Sequence, residues 1–376
     1  MKPKRIAIKV GTHVLQSKNG KLDYNLIRDL AEQISILFGK GYQLVLISSG
    51  AVRAGQELHA FAHEKNLLLR EQMMASVGQV RLMQIYSDFF LEHQIVIAQV
   101  LVTRADFGER SSYLNIRNTL EGLLMTKVLP IINENDVVAI EELSLQFGDN
   151  DQLAVFISAM IGADALFYLT NTPGLLKDSP SSLSHDAPLI ETVTEINEDI
   201  LSYCDTTPSS GGRGGMLSKV KAAGMAMTFG VDTYIVSGKT ENVVIRILAG
   251  ERIGTHFVAQ GEKINSYRKW LTVGAMDKGR LTIDQGAAKA LQNKKSLLAA
   301  GITEVSGDFK IKDLVTIYNQ AGVKIGVGRS NLSAEELKQQ IADYQQSRSH
   351  PDQRKPASNR KAVISRDYLV MVESSL

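Results

Sequence analysis

Through the first 260 residues, apolar runs rich in β-branched side chains alternate with longer segments whose apolar positions recur at helical spacing. That alternation leaves few folds open. Parallel strands cannot be joined by a tight turn and need a crossover, which a helix supplies, so βαβ units on a largely parallel sheet are expected, with helices on both faces. The expected strands are residues 5–10, 44–47, 95–102, 128–132, 165–169 and 233–236. After the first, Asp23 is a candidate N-cap for a helix that carries Leu26, Leu30, Ile34 and Phe38 and stops at Gly39 and Gly41. Residues 67–92 form a second long helical stretch. Sheets of this kind meet their ligands beyond the carboxyl ends of the strands, so the residues that close each run are the first candidates for function.

After Gln260 the rhythm shortens to runs at 270–273, 280–283, 302–305, 315–318 and 323–327, separated by turns, which indicates a small β-rich module. Charge changes at the same place: residues 1–265 hold 24 Lys and Arg against 29 Asp and Glu, whereas 266–376 hold 18 against 11. A basic module suits either contact with a polyanion or an ordinary solvated surface. Residues 346–361 contain two prolines and no large apolar side chain, so a mobile linker is expected there, followed by an apolar segment at 362–372 able to dock back onto the body. The expected organisation is therefore a domain over 1–260, a second over 268–345, and a basic linker and tail over 346–376. The single cysteine, Cys204, excludes an intramolecular disulfide and a thiolate zinc site. With no leader-like start and no run of about 18 apolar residues, a cytoplasmic protein without a membrane span is expected.

Four features carry candidate chemistry. The cluster Gly211, Gly212, Arg213, Gly214, Gly215, Met216, Leu217, Ser218, Lys219 opens a helical stretch, and its unblocked N–H groups and helix N-terminus suit phosphate oxygens; a flexible connector is the plainer reading. Lys9 closes the first strand just before Gly11 and Thr12, either as a solvent-seeking cap or as a second positive charge for a migrating phosphoryl group. Ser48-Ser49-Gly50 closes the second strand. Asn133-Glu134-Asn135-Asp136 follows the fourth, with Gly148-Asp149-Asn150-Asp151 downstream, and such acids and amides suit magnesium, an ammonium group or the orientation of lysines, as well as plain turns and caps.

Other chemistries lack their patterns. Ser218 precedes Lys219, the reverse of the order in a Walker A loop, and no G-x-G-x-x-G follows the first strand. Asp106-Phe107-Gly108 stands without the rest of a protein-kinase signature, so the triplet is chance. His59 and His63 lie four apart without the glutamate of a zinc-protease helix, and Ser49 is not in a G-x-S-x-G elbow.

Together, Lys9 to Thr12, Ser48 to Ala51, Leu101 to Asp106, Val128 to Asp136, Gly148 to Asp151, Thr170 to Leu175 and Gly212 to Lys219 resemble the amino acid kinase family. The region from Arg268 to about Gln340, with Thr282 to Ala287, is similar to a PUA domain. The resemblance implies an α/β fold, an αβα sandwich about a largely parallel sheet, plus a small β-rich PUA-like barrel. It further implies ATP-dependent phosphorylation of the side-chain carboxylate of L-glutamate, on the way to proline, with magnesium. Carried over by position, Lys9 and Lys219 would stabilise the transferring phosphoryl group and Asp149 would hold those lysines. Ser49, Asp136 and Asn150 would bind glutamate, with Gly50, Asn133 and Asp151 nearby. Lys9, Gly11, Thr170, Asn171 and the loop Arg213, Gly214, Gly215, Met216, Leu217, Ser218, Lys219 would contact ATP, with no protein-held metal. Asn171 stands where the family usually has aspartate, and Arg213 where threonine is common. Proline as feedback inhibitor, a homodimer or homotetramer, and RNA contact through the PUA-like module are implied in the same way.

Overall fold

The structure is a computed structural model that describes residues 4–17, 19–138, 150–177, 187–204, 215–260, 278–349 and 362–371. The chain divides into two compact units, residues 1–106 with 114–264, and 107–113 with 265–376.

The first unit is built on an eight-stranded sheet. Its strands are β1 (Arg5–Val10), β2 (Gln43–Ser48), β3 (Ile97–Val102), β4 (Leu129–Glu134), β5 (Ala165–Thr170), β6 (Thr192–Val193), β7 (Asp232–Ser237) and β8 (Thr255–Phe257), in the order β3-β4-β2-β1-β5-β7-β8-β6. All neighbours from β3 to β7 run parallel, and β8 joins β7 antiparallel. The helices are α1 (Tyr24–Gly39), α2 (Ala51–Leu58), α3 (Leu67–Leu91), α4 (Arg104–Gly108), α5 (Arg110–Met125), α6 (Asn150–Ile161), α7 (Glu198–Ser202), α8 (Met216–Thr228) and α9 (Val243–Leu248).

The central strands are buried along almost their whole length because helices cover both faces, which is why the sequence shows them as unbroken apolar runs. Ile6, Ile8, Leu44, Leu46, Leu129, Ile131 and Phe167 pack in one core with Leu30, Ile34, Leu82 and Tyr86 from α1 and α3. Ala154, Ile157 and Ile161 of α6 are buried in turn. Asp23 caps α1 as expected, its carboxylate accepting from the Leu26 N–H at 3.2 Å.

Two features of this unit place the site. The order changes direction at β1: the chain moves outward to β2 and β3, returns through β4, then crosses to β5 on the other side. Such a switch point opens a crevice at the carboxyl ends of the strands. There β2 passes into α2 through Gly50, whose φ of 104° lies in the left-handed region that only glycine enters at little cost. Next, α2 and α3 cross at bare backbone, since a Cβ on Gly55 would overlap the Met74 carbonyl and one on Gly78 the Ala51 carbonyl. No larger residue permits that approach.

The second unit carries β9 (Gly279–Ile283), β10 (Ile302–Gly307), β11 (Leu314–Asn319), β12 (Lys324–Arg329) and β13 (Leu369–Met371), with α10 (Gln285–Gln292) and α11 (Ala334–Ser349). Their order is β10-β9-β11-β12-β13, antiparallel except for the parallel β9–β11 pair. Leu281, Ile283, Val315, Ile317, Leu337, Val363 and Ile364 form its core. The fold class expected from the sequence is the one observed. The segment at 362–371 docks, but onto its own unit as the edge strand β13, and α11 runs through 346–349, where a linker was expected to begin. The run at 270–273 and most of the expected linker lie outside the described residues.

Candidate active site

Lys9 is not a solvent cap. It is 1% exposed, and its Nζ meets Asp151 Oδ1 at 2.7 Å. Lys219, one turn into α8, meets the other oxygen of the same carboxylate at 3.1 Å. Asp151 is fully buried in the first turn of α6, where the helix N-terminus favours a negative charge. Two ammonium groups from distant parts of the chain thus meet on one aspartate. Burial of these charges without solvent makes the pairing geometry costly to disturb. The backbone beneath is pinned by Tyr168 of β5, whose hydroxyl donates to the Asp151 carbonyl at 2.7 Å.

Immediately before Asp151, Asn150 serves a neutral network. Its Nδ2 lies 2.9 Å from Ser49 Oγ, 2.9 Å from Asn133 Oδ1 and 3.2 Å from the Ser48 carbonyl, donating to all three. Ser49, Asn133 and Asn150 are each buried to 8% exposure or less. The register explains the meeting, because Ile47 of β2 faces Ile132 of β4, so Ser48 and Asn133, the next residues along each, emerge side by side. Ser48 Oγ lies 2.8 Å from the hydroxyl of Tyr86 on α3. Complete burial raises the Tyr86 phenol above its ordinary value, with the Ser48 hydrogen bond opposing in the smaller measure.

The nucleotide-side candidates surround the lysines. Gly11 follows β1, its N–H donating to the Leu169 carbonyl at 3.4 Å. Thr170 ends β5, its carbonyl accepting from Gly238 at 2.8 Å, and Asn171 is exposed beyond it. Gly215 is the N-cap of α8 and has no side chain to offer that helix end, so among the described residues no N-cap side chain bonds the first N–H groups of α8. An uncapped helix start beside a lysine is a place where phosphate oxygens are accommodated.

Of the expected site residues, Arg213, Gly214 and Asp149 lie outside the described residues. Asp151, which the resemblance had placed near glutamate, meets both lysines. Asp136 stands in a half-exposed turn two residues beyond β4. Two participants had no motif to announce them. Gln79 of α3 accepts from Asn133 Nδ2 at 2.9 Å, and Tyr86 lies seven residues further along the same helix face. Polar residues seven apart on an otherwise apolar helix face were the available signal.

Such a site, at the switch point of a mostly parallel sheet, belongs to a defined class. Residues 4–237 match the amino acid kinase family and residues 279–343 match the PUA domain, and the chain belongs to the amino acid kinase family. Its relatives narrow the class. The chain is 40% identical to the glutamate 5-kinase of Caldanaerobacter subterraneus subsp. tengcongensis, over 89% of each chain. It is 41% identical to that of Acaryochloris marina, over 97% of this chain and 98% of that one, and 38% identical to that of Syntrophus aciditrophicus, over 99% and 95%.

Proposed function

We propose that the chain catalyses the glutamate 5-kinase reaction: ATP-dependent phosphorylation of the side-chain carboxylate of L-glutamate to glutamyl 5-phosphate, which leads toward proline. The observation that carries this reading is the Lys9–Asp151–Lys219 cluster lying directly beside the amide network of Ser49, Asn133 and Asn150. Relatives named glutamate 5-kinase across nearly the whole chain support it.

In this reading the glutamate carboxylate attacks the γ-phosphorus in line, the new O–P bond forms, and the bond to the β–γ bridging oxygen breaks to release ADP. A glutamate side chain has a pKa of about 4.3, so the nucleophile is already ionised and no general base is required. What the protein must supply is alignment and positive charge, since the two reactants repel. Lys9 and Lys219 supply that charge, and Asp149 and Asp151 hold them in position. Gly11, Thr170, Asn171 and residues 213–219 hold the nucleotide, while Ser49, Gly50, Asn133, Asp136 and Asn150 receive glutamate. Asp136 would pair with the α-ammonium group, the feature that separates an amino acid from a plain dicarboxylate. Gly50 contributes through its backbone, turning the chain from β2 into α2.

Among the described residues no group of three or more His, Cys, Asp or Glu could hold a metal ion, and Asp151 is engaged by two lysines. In this reading magnesium enters with the nucleotide as part of the MgATP substrate. Proline inhibition, a homodimer or homotetramer, RNA contact through residues 279–343 and a cytoplasmic location complete the proposal. Among the described residues no helix is long and apolar enough to cross a membrane.

ADP release with ATP and magnesium tests the reaction, run separately with L-glutamate, L-aspartate and N-acetyl-L-glutamate, with hydroxylamine present to trap an acyl phosphate. Hydroxamate is expected with glutamate alone. Turnover of N-acetyl-L-glutamate in preference to glutamate would overturn the substrate assignment.

A further inference from the structure

The amide chain does not end at the residues expected to touch glutamate. Asn133 Oδ1 accepts from Asn150, and Asn133 Nδ2 donates to Gln79 Oε1. A carboxamide has one donor end and one acceptor end, so a main-chain partner at one point fixes the polarity of every link. Asn150 Nδ2 donates to the Ser48 carbonyl, which can only accept, so Asn133 turns Oδ1 toward Asn150 and Nδ2 toward α3, where the Gln79 oxygen meets it. Asn150 then turns Nδ2 toward Asn133 and Ser49, and the Ser49 oxygen is used as an acceptor. The Ser49 hydrogen is left to donate and the Asn150 oxygen is turned away from the chain, ready to accept. One outward donor and one outward acceptor match the carboxylate and ammonium groups of an amino acid.

Gln79 is also fixed to the same rigid piece as Ser49. Its neighbour Gly78 makes the backbone contact with α2, and α2 begins directly after Ser49 and Gly50. A shift of α3 would therefore move Gln79 relative to Asn133 while leaving the lysine cluster on β1, α6 and α8 in place.

We infer that Gln79 is a positioning residue for amino-acid recognition, holding the Asn133 side chain where it accepts from Asn150. This rests on the glutamate reading given above. The test is steady-state kinetics of the full-length enzyme, varying glutamate and ATP separately, for Gln79→Met, Gln79→Glu, Asn133→Ala and the Gln79→Met/Asn133→Ala double variant. Gln79→Met is expected to raise the glutamate KM about tenfold, the scale of one lost neutral hydrogen bond, with kcat and the ATP KM within about twofold. Gln79→Glu keeps an acceptor facing Asn133 Nδ2 and should restore most of the affinity. In the Asn133→Ala background Gln79→Met should add nothing, because the residue it acts through is gone. Additive effects in the double variant, or equal loss in Gln79→Met and Gln79→Glu, would overturn the inference. Should Gln79→Met fail to fold, Gln79→Glu alone decides, since a tenfold rise there contradicts an acceptor role. Failure of the glutamate reading shows separately, as no hydroxamate from wild type or an unchanged glutamate KM in Ser49→Ala.

Discussion

Asn150 and Asp151 are consecutive residues at the start of one helix, yet they serve opposite kinds of site. Asp151 joins two lysines, all three groups charged and nearly free of solvent, whereas Asn150 joins a serine, an asparagine and a main-chain carbonyl, all neutral. Successive side chains on a helix point about 100° apart, so one turn of α6 can address two half-sites without either contacting the other's partners. The difference teaches how binding and chemistry can be separated. Charge placed where the phosphoryl group travels acts on the transition state, while neutral hydrogen bonds with fixed polarity select the acceptor.

Substitutions can break this comparison at either half. The largest effect is expected at Asp151, because Asp151→Asn leaves two buried lysines short of a counter-charge and should destabilise the fold by about 3–5 kcal/mol, read as a lowered denaturant midpoint. Lys219→Ala should leave the protein folded and reduce kcat by about 10²–10³-fold, the scale of one lost electrostatic donor, measured by coupled ADP release. Gly78→Ala should cost about 1–3 kcal/mol in denaturant unfolding, since the added methyl meets the Ala51 carbonyl at a contact with no room for it. Ser49→Ala should raise the glutamate KM about tenfold with kcat little changed.

The smallest effect concerns pH. Burial raises the Tyr86 phenol and pushes the Cys204 thiol up to about 11, against an opposing pull from Lys221 on the thiol. A group whose folded value is raised contributes stability that is complete below its unfolded value, about 8.5 for cysteine and about 10 for tyrosine, and is lost as pH rises through the folded value. Unfolding free energy should therefore be flat from pH 7 to 8 as far as these groups are concerned, with Cys204 costing about 1 kcal/mol by pH 9.5. Cys204→Ala should remove that loss in matched denaturant titrations.

Much of the first unit was legible because burial on both faces writes a central parallel strand as an unbroken apolar run. The runs at 44–47 and 165–169 differ from β2 and β5 by a residue at each end or at one end. The edge strand β6 and its neighbour β8 were not legible, being two and three residues long and defined by pairing rather than by pattern. Residues 346–349 looked like linker because they carry no apolar side chain, but glutamine, serine and arginine tolerate a helix that has already begun upstream. In the site, the two lysines stood out through their positions at a strand end and a helix start. What pattern alone could not show was that Asp151 reaches both lysines, because they come from β1 and α8, far apart in the chain. Gln79 was less visible still, an uncharged helix residue whose significance appears only when Asn133 is brought beside it.

The division of labour is tested most directly by measuring kcat and the glutamate KM of Lys219→Ala and Ser49→Ala side by side, at saturating ATP. A crossed result is expected: kcat falls in Lys219→Ala while its glutamate KM stays within about threefold, and the glutamate KM rises about tenfold in Ser49→Ala while its kcat holds. Both constants moving together in both variants would contradict it, and would mean that the charged and neutral halves act as one unit.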